Sequence, residues 1–136
     1  MNRLVIIILF SFFTCWATSG QGKKEMTWTF TYLQAKENQR ENLKLFLQKN
    51  WFVMDSIAVQ RGLFNDYKLY ENVTKPDSTA SWDYIVAVEY FTRETYSDIQ
   101  ERRAEIRKEH TKVLVDGLDF PDLGSVVRSE EVVVSR

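Results

Sequence analysis

Cysteine is nearly missing from this chain: one occurs among 136 residues, at position 15. Cys15 falls in an N-terminal apolar segment, so a mature domain without that segment has no disulfide framework in any compartment and must be held by burial. Histidine is as scarce, with His110 alone. Transition-metal sites draw on two or more clustered ligands, so no metal site is expected, and no cofactor is called for. An excess of one charge is missing too, since 18 Lys and Arg face 19 Asp and Glu, a formal net charge of −1. That excludes the basic footprint of a nucleic-acid-binding domain. No apolar run reaches the about 20 residues that a membrane-spanning helix requires. Catalytic triads, phosphate loops, zinc motifs, repeats and low-complexity tracts are also lacking.

What is present starts with a leader. Met1-Asn2-Arg3 precedes an apolar run from Leu4 to Phe10 that continues through Phe12 and Phe13, then small and polar residues up to Gly20. This is the three-part layout of a secretory signal peptide over residues 1–20, with Ala17 and Ser19 suited to signal peptidase. The expected product is a secreted or periplasmic protein. A competing reading places a lipid anchor on Cys15. Residues 21–136 then form a single domain, large enough for one core and too small for two.

In residues 27–33 small hydroxyl and large aromatic side chains alternate, so a strand places Trp28, Phe30 and Tyr32 on one face. Asn38 is a candidate cap for a helix beginning near Arg40. In it Leu43, Phe46, Leu47, Trp51, Met54 and Ala58 share a face, Leu45 and Phe52 fall opposite, and Gly62 ends it. Residues 63–70 read as a second strand, and 71–81 as a polar loop that carries an Asn72-Val73-Thr74 glycosylation triplet, meaningful only in a eukaryotic exported protein. Residues 82–91 read as a central strand, with Trp82, Tyr84, Val86, Val88 and Tyr90 on one face and Asp83, Ile85, Ala87, Glu89 and Phe91 on the other. Thr92 or Thr95 can cap a second helix whose stripe is Tyr96, Ile99, Ile106, His110 and Val113, closed by Gly117 and Pro121. Its mixed charges from Glu101 to Lys108 read as a solvated face. Residues 130–135 read as a short terminal strand.

Strand, helix, strand, strand, helix, strand is the α+β, ferredoxin-like βαββαβ order: a four-stranded antiparallel sheet with two helices on one face. The other face needs a cover, and pairing with a second copy supplies it.

Several stretches resemble the antibiotic-biosynthesis-monooxygenase-type domains of the dimeric α/β-barrel superfamily. They are Ala35-Lys36-Glu37-Asn38-Gln39 followed by Leu43, the glycine-led run Gly62-Leu63-Phe64-Asn65-Asp66-Tyr67-Lys68-Leu69-Tyr70, and Val88-Glu89-Tyr90-Phe91-Thr92-Arg93-Glu94-Thr95-Tyr96. The resemblance implies a homodimer paired as a dimeric α/β barrel. It also implies, by likeness to relatives, metal- and flavin-free oxygenation of aromatic or quinol-like molecules, some relatives binding haem instead. In several relatives a histidine or an aromatic residue near the start of the second helix matters, where this chain has Tyr96-Ser97-Asp98-Ile99-Gln100 and its histidine comes later.

Candidate site residues follow from chemistry. His110 on an apolar stripe either packs with its hydrogen bonds satisfied or serves as a proton shuttle or ligand contact. Glu89, an acid midway along a central strand, is either paired at a dimer interface or buried with a raised pKa and able to act as a base. Trp28, Tyr32, Trp51, Trp82 and Tyr84 either fill core and dimer seam or line a site for a flat apolar ligand. Three functions are carried forward: a homodimer binding a small aromatic or lipophilic molecule, a cofactor-independent monooxygenase or isomerase, and a structural or partner-binding protein.

Overall fold

Hydroxyl and aromatic residues alternating from Thr27 onward form strand β1, Met26–Ala35, which is longer than the pattern alone implied. The computed structural model describes residues 25–74, 81–91 and 96–134. The expected leader with Cys15, the loop tip at Pro76 and Asp77, and the helix caps Thr92 and Thr95 lie outside the described residues.

After β1 the chain turns through Asn38, whose φ of 60° is a left-handed conformation that asparagine tolerates. Gln39 rather than Asn38 therefore takes the cap position of helix α1, Arg40–Phe46, with no side-chain cap bond. A single π-helical stretch, Leu47–Trp51, joins α1 to α2, Phe52–Gln60. A π turn accommodates one extra residue and rotates the helix beyond it. Phe52, expected on the outer side, thereby comes against Tyr67 of the sheet at 5.3 Å between ring centres, while Leu45 stays exposed. Gly62, with φ 69°, closes the helix as expected.

Strand β2 is Asp66–Glu71, and the apolar pair Leu63 and Phe64 before it dips into the core instead of extending the strand. Strand β3 is Tyr84–Phe91, and helix α3 is Tyr96–Glu109. Helix α3 stops before Gly117. The next residues form no regular element, Gly117 sits in a tight turn with φ 75°, and Pro121 lies in the first turn of the short helix α4, Phe120–Leu123, behind an Asp119 capping box. Strand β4, Gly124–Val134, begins six residues earlier than its valine run suggested, because Gly124 to Val126 pair with β1 beyond a bulge at Tyr32 and Leu33.

The sheet is antiparallel in the order β2-β3-β1-β4. Pairing register fixes its faces. Thr29 lies opposite Val88, Thr31 opposite Val86 and Leu33 opposite Tyr84, so these share the helix-covered face with Tyr67 and Leu69 of β2. Trp28, Phe30, Tyr32, Glu89, Lys68 and Tyr70 share the open one. The core on the covered face is divided. One cluster gathers Leu33, Leu43, Phe46, Leu47, Tyr84, Val86 and Leu123, the other Ala58, Leu63, Phe64, Val88, Tyr90, Ile99 and Ile106.

Candidate functional site

Between the two clusters Thr29, Thr31 and Ser129 bring small hydroxyl side chains to the sheet floor, and a cavity of about 290 Å³ opens above them. Val86, Val88 and Tyr90 complete the floor, Trp51 and Met54 form one wall, and Ile99, Gln100, Arg103 and Arg107 of α3 form the other. The volume lies near the lower end of the about 300–1,000 Å³ range of small-molecule sites. A second hollow of about 350 Å³, lined by Phe46, Asn50, His110, Lys112, Asp119 and Phe120, shares Trp51, Met54 and Arg107 with the first.

The π turn positions two of these groups, as such turns often do at functional sites. Trp51, its last residue, packs on Phe120 at 5.3 Å and faces both hollows. Asn50 is buried, and its Nδ2 donates to the Phe46 and Val113 carbonyls at 3.0 and 2.8 Å while its Oδ1 accepts from Val113 N at 2.8 Å. Two carbonyls on one end and an N–H on the other allow only this orientation of the amide. His110 Nε2, 3.1 Å from the same Oδ1, must therefore carry a proton, which leaves Nδ1 as the acceptor in the neutral ring.

Asp55 is the other buried polar group here. Its carboxylate is 1% exposed, with Oδ1 3.3 Å from Arg103 and Oδ2 lacking any hydrogen-bond partner. Burial pushes its pKa up to about 6, against the pull of the Arg103 charge, so it is ionised at neutral pH. The Arg103 guanidinium also lies 5.2 Å over the Phe64 ring.

The sequence-derived candidates separate onto two faces. Trp51 lines both hollows and His110 the second. Tyr84 is fully buried in the core, its hydroxyl donating to the Arg40 carbonyl at 3.1 Å, outside either hollow. Trp28, Tyr32 and Trp82 belong to the open face: Trp28 stacks on Phe30 at 6.0 Å, and Trp82 meets Tyr32 edge-on at 6.0 Å. Glu89 is on that face too, opposite Trp28 in register and accepting from Asn65 Nδ2. Asn72 is buried and donates its Nδ2 to the Trp82 carbonyl at 3.0 Å, so the amide of the glycosylation triplet is already engaged.

Sequence reasoning missed Asn50, Asp55, Arg103 and Arg107. Asn50 and Asp55 had a signal, since both fall on the apolar stripe between Phe46 and Ala58, where a polar residue needs an internal partner. Arg103 and Arg107 were hidden in the run read as solvated. Glu101, Arg102, Glu105 and Lys108 are exposed as that reading expected, but Arg103 turns inward to Asp55.

Among the described residues no three metal-ligating side chains converge, and no helix is long and apolar enough to cross a membrane. Fold and cavity together define a ferredoxin-like α+β domain with room for a small molecule between sheet and helices. Among solved structures it is similar to the crystal structure of HapK from Hahella chejuensis, with a TM-score of 0.50 and 11% identity over 81% of this chain and 91% of that one. At that identity the likeness is one of fold. No family model and no curated protein sequence matches the chain.

Proposed function

We propose that the chain is an exported homodimer of the dimeric α/β-barrel type that binds a small aromatic or lipophilic molecule between its helices and its sheet. The cavity of about 290 Å³ dividing the core carries this reading, because Trp51, Met54, Phe64, Val88 and Ile99 offer an apolar lining beside hydroxyl and guanidinium groups. Such an arrangement suits a flat apolar body with a polar edge. Dimerisation is supported by the uncovered aromatic face of the sheet, and export by the leader-like segment at residues 1–20, with a lipid anchor at Cys15 as its variant.

Native mass spectrometry of the purified protein tests the reading. The expected result is a dimer carrying added mass that denaturation releases as a small molecule. A monomer that neither retains nor takes up any aromatic or lipophilic compound would overturn it. The N-terminal mass of the same material separates cleavage near Ser19 from lipidation of Cys15.

A second reading, cofactor-independent oxygenation or isomerisation, is favoured by one observation: the Nδ1 acceptor that the Asn50 bond leaves on His110 at the edge of the second hollow. Glu89, on the opposite sheet face, is separated from both hollows. Oxygen uptake with a panel of hydroquinones should fall in His110→Ala, and equal rates would remove His110 from any such mechanism.

A further inference from the structure

We propose that the cavity takes a carboxylate-bearing ligand, with Arg107 as the counter-ion of its headgroup; this deepens, and rests on, the small-molecule reading above. Arg103 and Arg107 stand one turn apart on α3, and both line the 290 Å³ cavity. Arg107 also borders the second hollow, so it stands at their common edge.

The charges around it decide its role. Arg103 is neutralised by Asp55 at 3.3 Å, and Lys112 by Asp119. His110 is bound to a neutral amide oxygen at 3.1 Å. Among the described residues Arg107 has no ion-pair partner, although acids are plentiful elsewhere on its helix. The region around both hollows is therefore left with one uncompensated positive charge. Arg107 is exposed as well as cavity-lining, so the residue stands at the rim. A headgroup held there keeps part of its hydration while the apolar body lies between the Trp51 and Met54 wall and α3, which avoids the desolvation that makes a fully buried charge costly.

One uncompensated charge selects a monoanion. A planar guanidinium matches the two oxygens of a carboxylate in paired hydrogen bonds, and nearby hydroxyls and the Gln100 amide supply neutral polar contacts without repulsion. A dianionic phosphate monoester would bring more charge than Arg107 neutralises.

Isothermal titration calorimetry with 2-naphthoate and its neutral isostere 2-naphthamide tests the assignment. The wild type should bind the acid roughly tenfold more tightly than the amide, the usual advantage of a charged hydrogen bond. Arg107→Gln should weaken the acid by a similar factor and leave the amide unchanged. Lys108→Gln, which removes the same charge one residue away on the exposed side of α3, should change neither. Equal binding of acid and amide by the wild type, or an acid affinity unaltered in Arg107→Gln, would overturn the carboxylate assignment while leaving the small-molecule reading in place. Equal weakening of the acid by Lys108→Gln would also overturn it, since the effect would then be one of net charge. Failure of both compounds to bind at millimolar concentration would overturn the assignment, and a protein that is also monomeric and retains or takes up no aromatic or lipophilic compound in native mass spectrometry would sink the reading beneath it.

Discussion

Asp55 shows how a buried acid makes stability depend on pH. Its carboxylate belongs to the face of α2 that meets α3, where water cannot reach it, and only one of its oxygens is satisfied. The pKa is raised from 3.8 to about 6, so the folded state holds the proton more tightly than the unfolded chain. Below pH about 4 both states are protonated and no penalty exists. As pH rises toward 6 the unfolded chain releases its proton first, and stability falls by roughly 3 kcal/mol across that window. Glu71, Glu109 and Asp119 are shifted the opposite way by surface partners and act at lower pH. They are common to wild type and Asp55→Asn, so the difference between the two isolates Asp55. Thermal midpoints should show the wild type losing stability relative to Asp55→Asn between pH 4 and 7, and parallel curves would refute the buried-acid account. Asp55 was legible in part: an acid spaced four residues after Trp51 and three before Ala58 had to be on the apolar stripe. Its partner was not legible, because Arg103 is surrounded by charges that do face water, and helical spacing alone does not say which of several neighbouring arginines turns inward.

At the scale of elements, order and type could be read directly, since alternation and the three-to-four spacing are strong over 26–35, 40–60, 84–91 and 96–109. The π turn was invisible because Leu43, Phe46, Leu47, Trp51 and Ala58 fit one face with or without an extra residue; only Phe52 betrays the rotation. The early start of β4 was hidden for another reason. Gly124 and Ser125 look like a turn, yet Gly124 is there so that α1 can approach the sheet. A Cβ at Gly124 would meet the Gln34 carbonyl oxygen at 2.6 Å and Leu43 Cδ2 at 2.8 Å, and the carbonyl belongs to the backbone of β1. Gly124→Ala should therefore cost about 1–3 kcal/mol, the usual range for overpacking. Urea unfolding reads it as a lower midpoint, and an unchanged midpoint would mean that α1 and β1 yield more easily than this contact implies. Face assignment was the hardest element-level question. Alternation places Trp28, Phe30 and Tyr32 together and Thr27, Thr29 and Thr31 opposite, but it does not say which set the helices cover. The helices cover the threonines.

At the scale of the whole molecule, the domain presents an aromatic sheet face that no helix covers among the described residues. Trp28, Phe30 and Tyr70 run across it with centroid distances of 6.0 and 6.5 Å, Lys68 covers the Trp28 ring at 4.9 Å, and Arg128 covers Tyr32 at 4.0 Å. The proposed two-fold pairing of sheets would bury this patch against its own copy. Phe30→Glu, at its centre, should convert a dimer into a monomer in light scattering with its circular dichroism unchanged, whereas a wild type that is already monomeric would remove this face from the account. The opposite face has a different consequence, which comes from its threonine floor. A chain selected for stability alone would fill the space above Thr29 and Thr31 with branched aliphatic side chains and join the two halves of its core. This one leaves them apart, and under the proposed small-molecule function folding and occupancy would be one linked equilibrium: a ligand at a hundred times its dissociation constant would add about 2.7 kcal/mol to the folded state. The proposed guest would then belong to the hydrophobic core as much as any side chain does.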